Sequence, residues 1–185
     1  TKQGTWREIQ DKLIVPKNQL IELTKGSLTL GNLIVEPFAV SHDAADPIGI
    51  NVFAGKDKAT VVTDTGVISD SILRRMDDTT LLVLEANYDP HMLRFGPYQP
   101  FLKQRVASDE GHLSNEMAAQ ALLMMNRPDF MQVILAHRSE NNNNAVLVTQ
   151  TIGKMLVDGG VRIGPEMKLQ HGQPNEIVSM KSVKR

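Results

Sequence analysis

The chain has 185 residues, 41% hydrophobic and 22% charged, with a formal net charge of −1. These values suit one globular domain over residues 1–185 and exclude disordered and fibrous classes. The small net charge supplies no global field for nucleic acid. Cysteine is absent, which excludes disulfides and thiolate metal sites and agrees with a cytoplasmic location. Any metal must be held by His, Asp or Glu, donors that suit zinc, manganese or iron. No apolar run is long enough for a bilayer span. The start, Thr1 to Trp6, lacks the basic-then-apolar order of a signal peptide.

In chain order, Thr5 to Leu13 reads as a short helix with Thr5 as N-cap and Glu8 three residues on, ended by Pro16. Strands are expected at Gln19–Leu23, Ser27–Leu30 and Leu33–Val40, with Pro37 marking an edge or a bulge. Gly49–Phe53 and Ala59–Thr63 form a hairpin around the turn Ala54–Lys58. A helix at Ser69–Met76 and a buried strand at Thr80–Ala86 follow. Ser114 caps a helix reaching Met125, with Met117, Ala118, Ala121, Leu122 and Met125 on its apolar face. Phe130–Ala136 is a strand, Asn141–Asn144 a loop, and Ala145–Leu156 a helix. Glycines then mark turns between short strands at Val161–Ile163 and Glu176–Met180. Strands first, then strand–helix alternation, predict an α+β fold, a mixed sheet with helices on one face.

Three polar residues fall where strands end: His42, Asp64 and His137. Strand tips on a rigid sheet are common mounts for catalytic groups. Two imidazoles and a carboxylate are a donor set for a borderline divalent metal, and a carboxylate can bridge two cations. Each residue alone fits equally a strand cap or a loop hydrogen bond. His112 precedes a helix start, where backbone N–H groups favour an anion, and it can protonate a leaving oxygen. Glu85 ends a strand and can orient His112, or it is a surface acid. His91 and His171 read as surface residues. The stretch Arg94–Arg105 mixes bases with aromatics, a composition that can follow a nucleic-acid backbone or simply form a structured loop. Residues 151–185 carry six Lys/Arg against three acids, and the end Met180–Arg185 reads as a solvated tail.

Together the stretches Val40–Gly49, Thr63–Gly66, Leu82–Asp89, Met92–Tyr98, Leu102–Arg105, Ser108–Asn115 and Leu135–Asn142 resemble the YycJ (WalJ) group of metallo-β-lactamase-fold hydrolases. The resemblance runs from Gly4 to about Leu156. It implies the C-terminal half of an αββα sandwich with a dinuclear metal site at one edge. It implies His42, Asp64 and His137 as metal ligands, Asp64 bridging. His112 then resembles the non-ligand His at the scissile phosphate, with Glu85 beside it. Asn115, Arg138 and Ser139, within or beside these motifs, are assigned to substrate binding. The implied activity of the complete enzyme is phosphodiester hydrolysis, 5′-to-3′ on DNA, with two divalent ions, zinc or manganese.

The family's His-x-His-x-Asp-His run is absent from the sequence. Two smaller departures are Tyr88, where the group often has His, and Arg138 in place of a small residue. The expectation is therefore half a sandwich, completed by an N-terminal half or by a second copy of the chain, and holding one ion or none by itself. The alternatives are an inactive fragment or interaction module of the same fold, and a metallo-hydrolase acting on a small molecule such as a lactam or thioester.

Overall fold

A computed structural model describes residues 2–23 and 26–179. Seven strands form one mixed sheet in sequential order: β1 (Leu28–Leu30), β2 (Leu33–Ala39), β3 (Ile48–Ala54), β4 (Asp57–Val62), β5 (Leu81–Glu85), β6 (Met131–Ala136) and β7 (Met167–His171). From β1 to β4 the pairing is antiparallel, and from β4 to β7 it is parallel. β3 reverses between β2 and β4, so β2, β4, β5 and β6 all end on the same sheet edge. The loops that follow these four strands therefore meet along that edge.

The helices are α1 (Gln3–Ile9), α2 (Asp70–Met76), α3 (Pro90–Phe95), α4 (Pro100–Val106), α5 (Asn115–Met124) and α6 (Ala145–Asp158). Side-chain caps set several starts. Ser69, Asp89, Ser114 and Asn144 accept from the N–H groups of Ile72, Met92, Met117 and Leu147. Pro90 and Pro100 occupy first-turn positions, where no N–H is needed. One core packs alternate strand residues Val62, Leu82, Leu84, Val133 and Leu135 against Ile72 and Met76 of α2, Leu122 of α5, and Val148, Ile152 and Leu156 of α6. The spacing 148, 152, 156 puts one stripe of α6 on the sheet. A second, smaller cluster joins Tyr88, Leu93 and Val106, with Tyr98 and Leu102 packed on it.

The helices of that main core cover one face of the sheet. On the other, Ile50, Val61, Val83 and Ile134 stand in register across β3 to β6 and stay partly exposed. The α+β class and the helix-on-one-face arrangement match the expectation. Among the described residues no helix is long and apolar enough to cross a membrane.

Several element boundaries differ from expectation. The first helix ends at Ile9, well before Pro16, and Thr5 does not cap it: its hydroxyl donates to Asp46 O instead. Leu20–Leu23 form no strand, and Lys17–Gln19 form a 3-10 turn. β1 reaches only to Val35 on its partner, so β2 is the sheet edge at Pro37, where a missing N–H costs least. The register of β2 on β3 is continuous, with no bulge. Arg94–Arg105 is largely helical, because Asp89-Pro90 and Gln99-Pro100 each start a helix. Val161–Ile163 gives a single bridge at Ile163, and the strand of this region is β7. Glu176–Ser179 has no strand, while Met180 and the basic tail lie outside the described residues.

Candidate metal centre

The site is assembled from five side chains on five segments. His42 lies just past β2, Asp64 past β4, Glu85 at the last position of β5, His137 immediately after β6, and His112 before α5. Asp64 and His137 both take positive φ, 56° and 52°. Asp and His tolerate this left-handed region better than most residues, and such strain concentrates at functional sites. The abrupt turn lifts each side chain off its strand and over the sheet edge.

Close backbone contacts hold these loops together. Gly66 N donates to Ser41 O (3.0 Å) and Ser41 N to the Thr65 hydroxyl (3.2 Å), joining the His42 and Asp64 loops. A side chain at Gly66 would overlap the backbone of Ser108 and Asp109, so only glycine lets that loop approach. Asp43 N donates to Glu110 O, and the Arg105 guanidinium grips the Asp43 carboxylate with two bonds (2.5 and 2.9 Å). Arg105 thus anchors the His42 loop to α4. The hydrogen bonds and charge of Arg105 hold the Asp43 carboxyl below its ordinary value.

Glu85 is the buried hub, with no exposure. Its Oε1 accepts from His112 Nδ1 at 2.6 Å and from His137 Nδ1 at 3.0 Å, and its Oε2 from Thr65 N at 3.1 Å. Burial is the largest single influence and raises the Glu85 carboxyl. The bonds from His112 and His137, with the Thr65 N–H, outweigh it and leave the pKa lowered. His137 is raised in turn, first by its bond to Glu85, against burial, with help from the charges of Glu85 and Asp64.

The remaining imidazole is fixed in the same way: His42 Nδ1 lies 3.0 Å from Gly111 O. All three imidazoles therefore place Nδ1 against an oxygen and leave Nε2 without a hydrogen bond among the described residues, that of His42 lying 3.6 Å from Asp43 Oδ1. Asp64 Oδ1 lies 3.7 Å from His42 Nε2 and 3.6 Å from His137 Nε2. Two donors about 2.1 Å from one tetrahedral ion stand about 3.4 Å apart, so these spacings fit ligation with little movement. Donor atoms of His42, Asp64 and His112 also lie within 4.8 Å of one another. The ring centroids of His42 and His137 are 5.0 and 5.1 Å from that of His112. The centre fits divalent cations by donor chemistry, by spacing and by the oxygen behind each imidazole, the usual partner of a metal-bound His. Donor atoms of Glu85, His112 and His137 also lie within 4.8 Å of one another, but Glu85 Oε1 is engaged by the two imidazole N–H groups.

Of the other expected residues, Ser139 and Arg138 follow His137 directly. The Ser139 hydroxyl accepts from Asn142 N (3.1 Å) and its N–H donates to Asn87 O (2.9 Å). Arg138 Nη2 lies 3.5 Å from Gln173 Oε1, and Arg138 lines a cleft of 590 Å³ together with His137 and Gln173. Asn115 is not brought to the surface of the site. It is fully buried and exchanges amide bonds with Asn143 (3.1 and 2.8 Å), which also donates to Ala86 O. Its amide is spent on holding α5, β5 and the loop before α6 together. Tyr88 is likewise buried in the second cluster. His171 is half-buried, with Nε2 2.9 Å from the Thr149 hydroxyl, while His91 is exposed.

Thr65, Asn87, Asp43 and Asn143 shape the centre without having been singled out in the sequence. Asn87 Nδ2 donates to His137 O at 2.7 Å and so supports its left-handed turn. For Asn143 the run of four asparagines was a signal, though it read only as a loop. For Asp43 the partner Arg105 is too distant in sequence to be inferred.

A sheet edge with clustered imidazoles and a shared aspartate, backed by helices on one face, is the arrangement of metallo-β-lactamase-type hydrolases. The Beta-lactamase superfamily domain matches residues 2–137, and the chain belongs to this superfamily. Within it the chain falls in the YycJ/WalJ group. It is 32% identical over 174 residues to exodeoxyribonuclease YycJ of Bacillus anthracis, covering 93% of this chain. It is 30% identical over 178 residues to exodeoxyribonuclease WalJ of Streptococcus pneumoniae, covering 94%. The chain spans 66% of the length of these two relatives. Among solved structures, the metallo-β-lactamase-fold protein YhfI of Bacillus subtilis superposes with a TM-score of 0.64 at 14% identity, over 91% of this chain and 60% of that one. Zn(2+)-bound PqqB of Methylobacterium extorquens gives 0.53 at 15% identity, over 80% and 48%.

Proposed function

We propose that this chain forms the C-terminal part of a metal-dependent DNA exonuclease that hydrolyses phosphodiesters from the 5′ end. One observation carries the reading: three imidazoles with Nδ1 locked on oxygen, and two of their Nε2 atoms facing one carboxylate oxygen of Asp64. In this proposal His42, Asp64 and His137 would hold the divalent ions, zinc or manganese. Such ions lower the pKa of water and stabilise charge on phosphate. Glu85 keeps His112 and His137 in the tautomer with Nε2 free. His112, at 14% side-chain exposure, acts as an acid only after taking up a second proton at Nε2, which it gives to the leaving oxygen while its Nδ1–H stays on Glu85. Arg138 offers its guanidinium to a phosphate in the cleft beside His137, and Ser139 lines the path.

The relatives named as exodeoxyribonucleases support the substrate class. The ligands of the His-x-His-x-Asp-His run come from an N-terminal half of the sandwich, in the same polypeptide or in a partner. The row Ile50, Val61, Val83, Ile134 is the face it covers, since an apolar sheet face needs a second layer. The alternative is a folded module that lacks the chemistry.

The test is a nuclease assay of the complete enzyme with Mn²⁺ or Zn²⁺ on 5′-labelled DNA. Mononucleotide release from the 5′ end is expected, and Asp64→Ala should abolish it. Near-normal turnover by that variant overturns the proposal. Affinity for uncleaved DNA should fall steeply with salt, as counterion release requires. Salt-independent affinity would point to a small-molecule hydrolase instead.

A further inference from the structure

A second cleft, of 340 Å³, opens beside the metal centre and shares His137 and Arg138 with the first. The α3–α4 region contributes Tyr98 and Leu102, the loop after β6 contributes Ser139 and Asn141, and the imidazoles of His112 and His137 also line it. Its volume lies at the low end of small-ligand clefts, about the size of one nucleotide unit and far too small for a duplex.

The wall from α3–α4 is rigid. Tyr98 and Leu102 pack on the cluster of Tyr88, Leu93 and Val106. Lys103 Nζ donates to Arg94 O at 2.8 Å, tying α4 to the end of α3. The Tyr98 hydroxyl lies 3.5 Å from Asn141 Nδ2, which steadies the ring across the cleft. The ring is half-buried, and its remaining surface has no described aromatic neighbour. The opposite wall is polar, from Ser139, Glu140 and Asn141. Arg138 lines this cleft too, and its charge is offset by that of the exposed Glu140, so the cleft favours neither sign and suits the uncharged part of a nucleotide. Arg105 also lines it, but its guanidinium is committed to Asp43.

We infer that this cleft is a nucleoside subsite, in which the Tyr98 ring and Leu102 hold the base and sugar adjoining the phosphate at the metal centre. The inference rests on the proposed nuclease function and deepens it. Aromatic faces accept any base, so the subsite recognises an unpaired nucleotide with little sequence preference. It admits one strand only, so a terminal nucleotide must leave its duplex to be cut.

The experiment compares two substrates with the complete, metal-loaded enzyme: a single-stranded oligodeoxynucleotide and bis(p-nitrophenyl) phosphate, which has no base or sugar. Tyr98→Ala should lower the ratio of kcat/KM for the first over the second by on the order of 10- to 100-fold, mostly through KM, as loss of one stacked base implies. Tyr98→Phe should restore the ratio. An unchanged ratio in a folded Tyr98→Ala protein overturns the subsite and leaves the nuclease reading intact. A wild-type enzyme that cleaves neither substrate overturns both. Should Tyr98→Ala not fold, photocross-linking of wild type to an oligonucleotide with a terminal 5-iododeoxyuridine decides. A cross-link in the peptide holding Tyr98 supports the subsite, and cross-links confined to other peptides overturn it.

Discussion

Glu85→Gln is the most informative single change, because it keeps shape and removes charge at the hub of the centre. In the native protein one carboxylate oxygen accepts two imidazole N–H groups and the other accepts the Thr65 amide. A glutamine cannot satisfy all three. If its oxygen faces the imidazoles, its NH₂ meets the Thr65 N–H, donor against donor. If it is flipped, the NH₂ faces two Nδ1–H groups, and each imidazole must move its proton to Nε2, where the lone pair for a metal should be. The first orientation leaves a buried donor unsatisfied, at about 1–3 kcal/mol, and the second satisfies the bonds only by giving up the Nε2 lone pair of His137. Loss of the partner behind a metal-bound His typically weakens metal affinity by about 10- to 100-fold, or roughly 1.4–2.7 kcal/mol. The assay is competition with a chromogenic chelator for Zn²⁺ or Mn²⁺, on wild-type and variant protein of equal secondary structure. A variant whose metal affinity stays within about twofold of wild type would refute the orienting role of Glu85.

Other expectations bear on different parts of the structure. In metal-free protein, the depressed Glu85 carboxyl contributes stability above its ordinary pKa of 4.5, lost as pH falls through the native value. The raised His137 contributes below 6.5, lost as pH climbs through its native value. Thermal unfolding in chelator should therefore show greatest stability between those two values, and Glu85→Gln should flatten the profile. Asn143→Ala removes a buried amide with bonds to Ala86, Asn115 and Asn144. It should cost about 2–4 kcal/mol in denaturant unfolding, and a loss below about 0.5 kcal/mol would contradict the network. Gly66→Ala should drive the Asp64 loop off Ser108 and Asp109, with a cost of about 1–3 kcal/mol and weaker metal binding by calorimetry. Wild-type metal affinity in that variant would show that the close approach does not position Asp64.

Much of the scaffold was legible because its signals are local. Ser114 caps its helix as expected, and the helices expected at Ser69–Met76 and Ala145–Leu156 also form, capped by Ser69 and Asn144. The strands β4, β5 and β6 follow from short runs rich in Val, Ile and Leu, and the loop at Asn141–Asn144 from its composition. Where expectation failed, a local signal was misread or missing. The two short helices α3 and α4 begin with Asp-Pro and Gln-Pro, whereas the composition of Arg94–Arg105 by itself allows a structured loop there. β7 alternates apolar and polar only over Met167–Gln170, too short a run to mark a strand by itself, and its pairing with β6 makes it one.

The centre divides in the same way. By itself, the sequence determined the donor types, the absence of thiolates, and the positions of His42, Asp64 and His137 at the tips of strands, since each follows an apolar run. Convergence was decided only in three dimensions. β3 reverses so that β2, β4, β5 and β6 end on one edge, and left-handed turns at Asp64 and His137 swing their side chains over it. That Glu85 is fully buried and joins two imidazoles, where the sequence left open an orienting partner of His112 or a surface acid, is likewise tertiary, because burial and hydrogen bonding there arise from residues 27 and 52 positions away along the chain.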